Sequence, residues 1–232
     1  MKLKIFGRVA VLGLLNLAAS GNFINKTSPK GFDLHGIDVS RYQSHINWSK
    51  VSSSTDNKSI QFAFIKATEG TSLGDPHFAS NWKKANEKDI TVGAYMYFHP
   101  NKSGKNQANN FIKKVALVKG HFAPVVDIET TDSVDVYTLR SRLQTCLNTL
   151  EKKYGVKPII YTSSGFYKSY LGSKFDKYPL WVAQYKSTTP NVKRKWHIWQ
   201  HTDKGKVNGI SGNVDMNVIN GDTNTLKMLV LK

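Results

Sequence analysis

Four carboxylates stand inside or at the end of apolar, β-type runs. Asp38 interrupts Ile37-Asp38-Val39, Asp127 and Glu129 punctuate Val125-Val126-Asp127-Ile128-Glu129, and Asp215 separates Val214 from Met216. Strand side chains alternate faces, so Asp127 and Glu129 share one face while Val126 and Ile128 take the other. The apolar neighbours are expected to pack outward against helices, turning the acids toward a common mouth. Burying unpaired carboxylates is costly, so a chain that repeats the pattern asks for a reason. Two acids two residues apart repel, which raises the proton affinity of one of them. A carboxyl that keeps its proton near neutral pH is a general acid, while its partner stays ionised. Paired acids of this kind are the working parts of glycoside hydrolysis. A salt bridge to Lys or Arg, or a divalent metal, would explain one such acid. Four of them, all at strand ends, point to a catalytic cluster.

Aromatic residues accompany the acids. Tyr95, Tyr97, Tyr161, Trp181, Tyr185 and Trp199 fall on expected strands or their ends. Flat aromatic faces stack on sugar rings, and their polar tips can bond hydroxyls. Aromatics also fill barrel interiors, so each needs its position checked. Gln200 and Asn217 add polar groups on the last two strands.

The elements that must position these residues are legible as alternating runs. Strands are expected over 36–40, 61–68, 91–98, 124–129, 158–163, 180–185, 197–202 and 213–219, bounded by Gly, Pro or Asn. Helical patterns fall at about 77–88, 104–119 and 134–154. In the last, Leu139, Leu143, Leu147, Leu150 and Tyr154 form one amphipathic stripe, and Cys146 beside it reads as a small core residue. Gly155 then stops the helix and Pro158 opens the next strand. Eight strands with intervening helices predict an α/β fold, an irregular (β/α) barrel with its chemistry at the carboxyl ends of the strands. The later connections are too short for full helices.

The chain has 232 residues, 40% of them apolar and 11% aromatic, which excludes a disordered chain. A single cysteine excludes a disulfide framework and a cysteine zinc cluster. The net charge of +17 attracts polyanions, so nucleic acid, anionic lipid and anionic wall polymers all fit charge alone. At the amino terminus, Lys2, Lys4 and Arg8 precede an apolar run from Val9 to Ala19, closed by Ser20 and Gly21. That layout predicts a secretory signal peptide over 1–20, a polar leader over 21–33 and a folded domain over 34–232. The apolar run is about half the ~20 residues of a membrane-spanning helix, so no stable anchor is expected.

In order along the chain, several segments together resemble the glycoside hydrolase family 25 lysozymes, the Chalaropsis-type muramidases. They are Gly36-Ile37-Asp38-Val39-Ser40 with Tyr42-Gln43 after it, Phe64-Ile65-Lys66-Ala67-Thr68-Glu69-Gly70, Val92-Gly93-Ala94-Tyr95 and Asp127-Ile128-Glu129. Pro158-Ile159-Ile160-Tyr161-Thr162, Leu180-Trp181-Val182-Ala183, Trp199-Gln200 and Gly209-Ile210-Ser211-Gly212-Asn213-Val214-Asp215-Met216-Asn217 follow. The resemblance spans about residues 35–220. It implies a flattened, irregular barrel that hydrolyses the β-1,4 bond between N-acetylmuramic acid and N-acetylglucosamine in peptidoglycan. By motif position Glu129 is implied as the general acid/base. Asp127 is implied as its partner, either a nucleophile or the group that orients the substrate's 2-acetamido oxygen. Asp38 and Asp215 would complete the acidic cleft. Tyr95, Tyr161, Trp181 and Gln200 would bind substrate. Met96 stands where relatives often carry His after the first tyrosine; because it faces opposite to Tyr95, the change should touch packing more than chemistry.

A module that binds wall glycans without cutting them would predict loss of Glu129 or Asp127, and both are present. A nucleic-acid partner is not expected: no known motif occurs and the positive residues are spread along the chain, with Lys193-Arg194-Lys195 too short a cluster. His197 and His201 are four apart on a strand, which is not the helical zinc spacing, so neither a metal nor another cofactor is expected. The basic surface is expected to hold anionic wall polymers, and the protein to be a monomer.

Overall fold

Runs rich in Val, Ile, Phe and Tyr build eight strands that close on themselves, because β-branched and aromatic side chains suit a surface covered on both faces. The structure, a computed structural model, describes residues 29–52 and 60–232. The expected signal peptide and most of the leader lie outside the described residues.

The strands are β1 (His35–Val39), β2 (Ile60–Glu69), β3 (Leu73–Gly74), β4 (Thr91–Tyr97), β5 (Val125–Asp127), β6 (Ile159–Ser163), β7 (Leu180–Ala183), β8 (Ile198–Gly205) and β9 (Val214–Ile219). Their order is β1-β9-β8-β7-β6-β5-β4-β2, closed by a β1–β2 pairing, with β3 a short addition to β2. From β1 through β2, β4, β5, β6 and β7 to β8 neighbours run parallel. The last strand, β9, is antiparallel to both β8 and β1. Its short connection from β8 explains this: a parallel return needs a crossover of about a dozen residues, an antiparallel one only a turn. The expected α/β barrel is present, and its irregularity lies in that final strand.

The helices are α1 (Trp48–Ser52), α2 (Phe78–Asn86), α3 (Gly104–Lys114), α4 (Val136–Tyr154), the short α5 (Ser164–Phe166) and α6 (Thr223–Leu229). Asp135 caps α4 by accepting from the Thr138 N–H, and Gly155 ends it with φ 71°. The helix expected over 104–119 stops at Lys114, and Val115 is extended. There the Tyr154 hydroxyl donates to the Val115 carbonyl at 2.8 Å, and the chain turns back so that the Phe122 N–H reaches the Val92 carbonyl at 2.9 Å.

The core has two layers. Inside the barrel lie Phe62, Phe64, Phe122, Val125, Ile159, Trp181, Ile198 and Ile219. Between barrel and helices lie Met96, Val126, Ile128, Leu139, Leu143, Cys146 and Leu147. Met96 thus faces away from Tyr95, with its sulfur 3.8 Å from that of Cys146. Cys146 is fully buried, and burial pushes its thiol far above the ordinary range. Gly36 and Gly93 make room for the inner rings: a Cβ would lie 2.3 Å from Phe62 and 2.5 Å from Phe64, respectively.

Candidate active site

At the carboxyl ends of the parallel strands the inward-facing positions change from apolar to polar. On β2 the inner face runs Phe62, Phe64, Lys66; on the β5 side it runs Val125, Asp127, Glu129. The period of two fills the barrel low on each strand and opens a cleft above the filling. The cleft has a volume of about 280 Å³ and is lined by all eight residues expected there: Asp38, Tyr95, Asp127, Glu129, Tyr161, Trp181, Gln200 and Asp215.

Asp38, on β1, sits in a cradle of amides. Its Oδ2 accepts from Gln200 Nε2 at 2.9 Å and from Asn217 Nδ2 at 2.8 Å. The amides cannot flip without loss. Tyr161 and Tyr185 hydroxyls donate to Gln200 Oε1 at 2.8 and 2.6 Å, and Trp181 Nε1 donates to Asn217 Oδ1 at 2.8 Å. Each amide oxygen is therefore occupied, and its nitrogen must point at Asp38. Trp181 is held in turn by stacking on Phe64, with ring centroids 4.5 Å apart, and by the Tyr161 edge at 4.5 Å.

The acids form two couples. Asp38 and Asp215 are register partners across β1 and β9. Asp127 and Glu129, two residues apart at the end of β5, are neighbours in the cleft. Burial raises Asp38 to about 6, against the bonds from Asn217 and Gln200. Burial, then the charge of Asp38, lifts Asp215 to about 8. Asp127 is pushed well above the carboxylate range by burial and then by the Glu129 charge. Glu129 is raised by burial, against the hydrogen bond from Asp127 and the charge of Lys66. Two neighbouring carboxyls cannot both ionise cheaply, so within each couple one acid holds its proton more tightly than a lone carboxyl would. The Asp127 Oδ1 is buried and has no hydrogen-bond partner among the described residues. Glu129, two residues past β5 rather than within the expected strand 124–129, reaches solvent at the rim.

Several cleft residues were not singled out by sequence. Lys66 lines the cleft, with its ammonium 5.0 Å from the Tyr97 ring centroid and 2.8 Å from Glu69 Oε2. The alternation on β2 contains the signal, since Lys66 follows Phe62 and Phe64 at the same spacing. Tyr42 and Gln43, quoted in the first family-like segment but given no role, reach the rim from the turn after β1, which strand patterns cannot place. Of the aromatics that the sequence did single out, Tyr97 and Tyr185 line the cleft as well. Trp199 does not. It is fully buried on the outer face of β8, its Nε1 donating to the Gln184 carbonyl at 2.8 Å, because Gln200 beside it takes the inner face.

The family model for glycosyl hydrolases family 25 matches residues 37–210. The Escherichia coli protein YegX is 44% identical over 204 residues, covering 87% of this chain and 75% of its own. Lysozyme M1 of Streptomyces globisporus is 34% identical over 212 residues, covering 84% and 71%. A family 25 glycosyl hydrolase from Bacillus anthracis superposes with a TM-score of 0.79 at 30% identity, covering 86% of this chain and 94% of its own. With the acid-lined cleft at the strand ends of a closed barrel, these likenesses make the chain a member of glycosyl hydrolases family 25, a glycoside hydrolase of lysozyme type.

Proposed function

We propose that this enzyme is an N-acetylmuramidase. It cuts the β-1,4 bond between N-acetylmuramic acid and N-acetylglucosamine in peptidoglycan with retention of configuration, using Glu129 as general acid/base. The observation that carries the reading is the Asp127–Glu129 couple, one member buried without a partner for Oδ1 and the other open to solvent at the rim. The likeness to a lysozyme supports the substrate.

In this reading the proton that Asp127 and Glu129 share lies on Glu129 when substrate is bound, and Glu129 gives it to the glycosidic oxygen as the bond to the anomeric carbon breaks. The two carboxyls project from the same strand end, two residues apart, so they stand side by side on one wall of the cleft rather than flanking a bond from two sides. That placement favours the substrate's own acetamido oxygen as the attacking group. Asp127 then accepts the acetamido N–H on its unpartnered Oδ1, holding the oxygen against the anomeric carbon. Glu129, now ionised, takes a proton from the water that opens the cyclic intermediate, and so returns to its starting state. Tyr95, Tyr161 and Trp181 shape the sugar site with Gln200, while Asp38 and Asp215 complete its acidic wall.

Purified peptidoglycan digested with the wild type and with Glu129→Gln, reduced with borohydride and read by mass spectrometry, tests this. Soluble fragments with reduced muramic acid ends, absent from the variant, are expected. Reduced glucosamine ends would make it a glucosaminidase, and wall binding without products from either protein would make it a binding module. The segment 1–20 fits export of the enzyme to its substrate.

A further inference from the structure

Beyond Glu129 the chain turns sharply: Asp132 and Ser133 have φ of 45° and 62°. Such left-handed conformations in residues other than glycine persist only where the surroundings hold them. Here the hold is visible. The Thr130 hydroxyl donates to Asp132 Oδ1 at 3.1 Å and accepts from the Asp132 N–H at 3.0 Å. Asp132 Oδ2 meets His99 Nδ1 at 2.9 Å, and the other ring nitrogen of His99 lies 3.3 Å from Glu69 Oε1. The second Glu69 oxygen accepts from Lys66 Nζ at 2.8 Å.

His99 is itself fixed from behind. Its N–H donates to Gln107 Oε1 at 2.8 Å, and Gln107 Nε2 donates to its carbonyl at 2.9 Å. Gly70, with φ 57°, lies beneath the ring, where a Cβ would come within 3.4 Å of His99 Cδ2. Asp132, His99, Glu69 and Lys66 thus form one continuous series of contacts across the ends of β5, β4 and β2. Its two ends both reach the cleft. One is the loop that presents Glu129; the other is Lys66, whose positive charge favours the ionised forms of Asp127 and Glu129. His99, Glu69 and Asp132 themselves do not line the cleft.

We propose that His99 is a positioning residue for the acid/base: by clamping Asp132 and Glu69 it fixes both the backbone that carries Glu129 and the ammonium of Lys66. This rests on the reading of Glu129 given above. A residue that acts through geometry alone should alter turnover more than substrate binding, and its partners in one clamp should not act independently.

The test is steady-state hydrolysis of soluble peptidoglycan oligomers by the wild type, His99→Ala, Asp132→Asn, the double variant and Glu129→Gln, with thermal midpoints measured alongside. Each single change is expected to lower kcat roughly tenfold, with KM within about twofold of the wild type. The double variant should be no slower than the slower single. A wild-type kcat in His99→Ala, a loss carried by KM, or multiplicative losses in the double would each overturn the clamp. Should His99→Ala fail to fold, Asp132→Asn, which keeps the side chain's shape, decides alone by its kcat. Activity retained by Glu129→Gln would instead remove the reading of Glu129; an inactive Glu129→Gln beside a fully active His99→Ala would remove only the clamp.

Discussion

Asp215 holds its proton to about pH 8 in the folded chain, against an ordinary value of 3.8. Between those limits the folded state binds more protons than the unfolded state, so stability falls as pH rises. Its contribution is fully present below pH 3.8 and lost by the time pH passes 8. Asp38 adds a smaller effect of the same sign that ends near pH 6. Asp215→Asn mimics the protonated carboxyl. Its thermal midpoint should exceed that of the wild type at pH 8 and converge with it near pH 4; a midpoint below the wild type at pH 8 would contradict the burial argument. A second test concerns the cradle of Asp38. Asn217→Leu strips one donor from a buried carboxylate and leaves the Trp181 indole N–H without its acceptor. Such losses cost about 1–3 kcal/mol per unsatisfied group, which urea unfolding would read directly. All four acids were legible from sequence because a carboxylate within an apolar strand is conspicuous. Lys66 was not, since a single Lys in such a strand reads as a solvated side chain. The contacts of His99 with Glu69 and Asp132 join residues 30 and 33 positions away, a separation that periodicity does not register.

At the level of elements, strand alternation located the barrel and its inner face, while turn chemistry decided the exceptions. Tyr95 and Met96 split between cleft and outer core as a period of two requires, and the same rule separates Gln200 from Trp199. The direction of β9 was hidden, because a short connection allows a turn without announcing one. The end of α3 was hidden too: the Val115 carbonyl just past it meets the distant Tyr154 hydroxyl, a pairing that local pattern does not register. The glycines of β1 and β4 supply a test at this scale. In Gly93→Ala the new methyl would sit 2.5 Å from the Phe64 ring, and the ring cannot retreat without disturbing its stack on Trp181. Overpacking of this kind costs about 1–3 kcal/mol. The loss should appear as a lower denaturant midpoint, and as slower turnover because Trp181 bonds Asn217, which in turn bonds Asp38. A neutral Gly93→Ala would show that the inner layer is looser than these distances indicate.

For the whole molecule, charge is the dominant property. With 33 basic and 16 acidic side chains, one-to-one pairing would still leave 17 bases without a carboxylate. Such an excess attracts anionic polymers and weakens as salt shortens the reach of charge, from about 10 Å at 0.1 M to about 3 Å at 1 M. Retention of the Glu129→Gln variant, expected to be inactive, on purified, anionic cell walls should therefore drop steeply across that range. Retention that ignores salt would mean that glycan contacts in the cleft, not surface charge, hold the enzyme to its substrate.

The closure of the barrel places β9 between β8 and β1, so Asp38 near the start of the fold meets Asp215 and Asn217 near its end. During synthesis, Asp127 and Glu129 emerge from the ribosome long before the strand that completes the cradle of Asp38. A nascent chain that stops short of residue 214 carries the proposed acid/base and most of the barrel, yet lacks one wall of the cleft. Completion of the site is thus tied to completion of translation. A truncation ending at residue 213 should be inactive, which would keep a wall-cutting activity silent in unfinished copies.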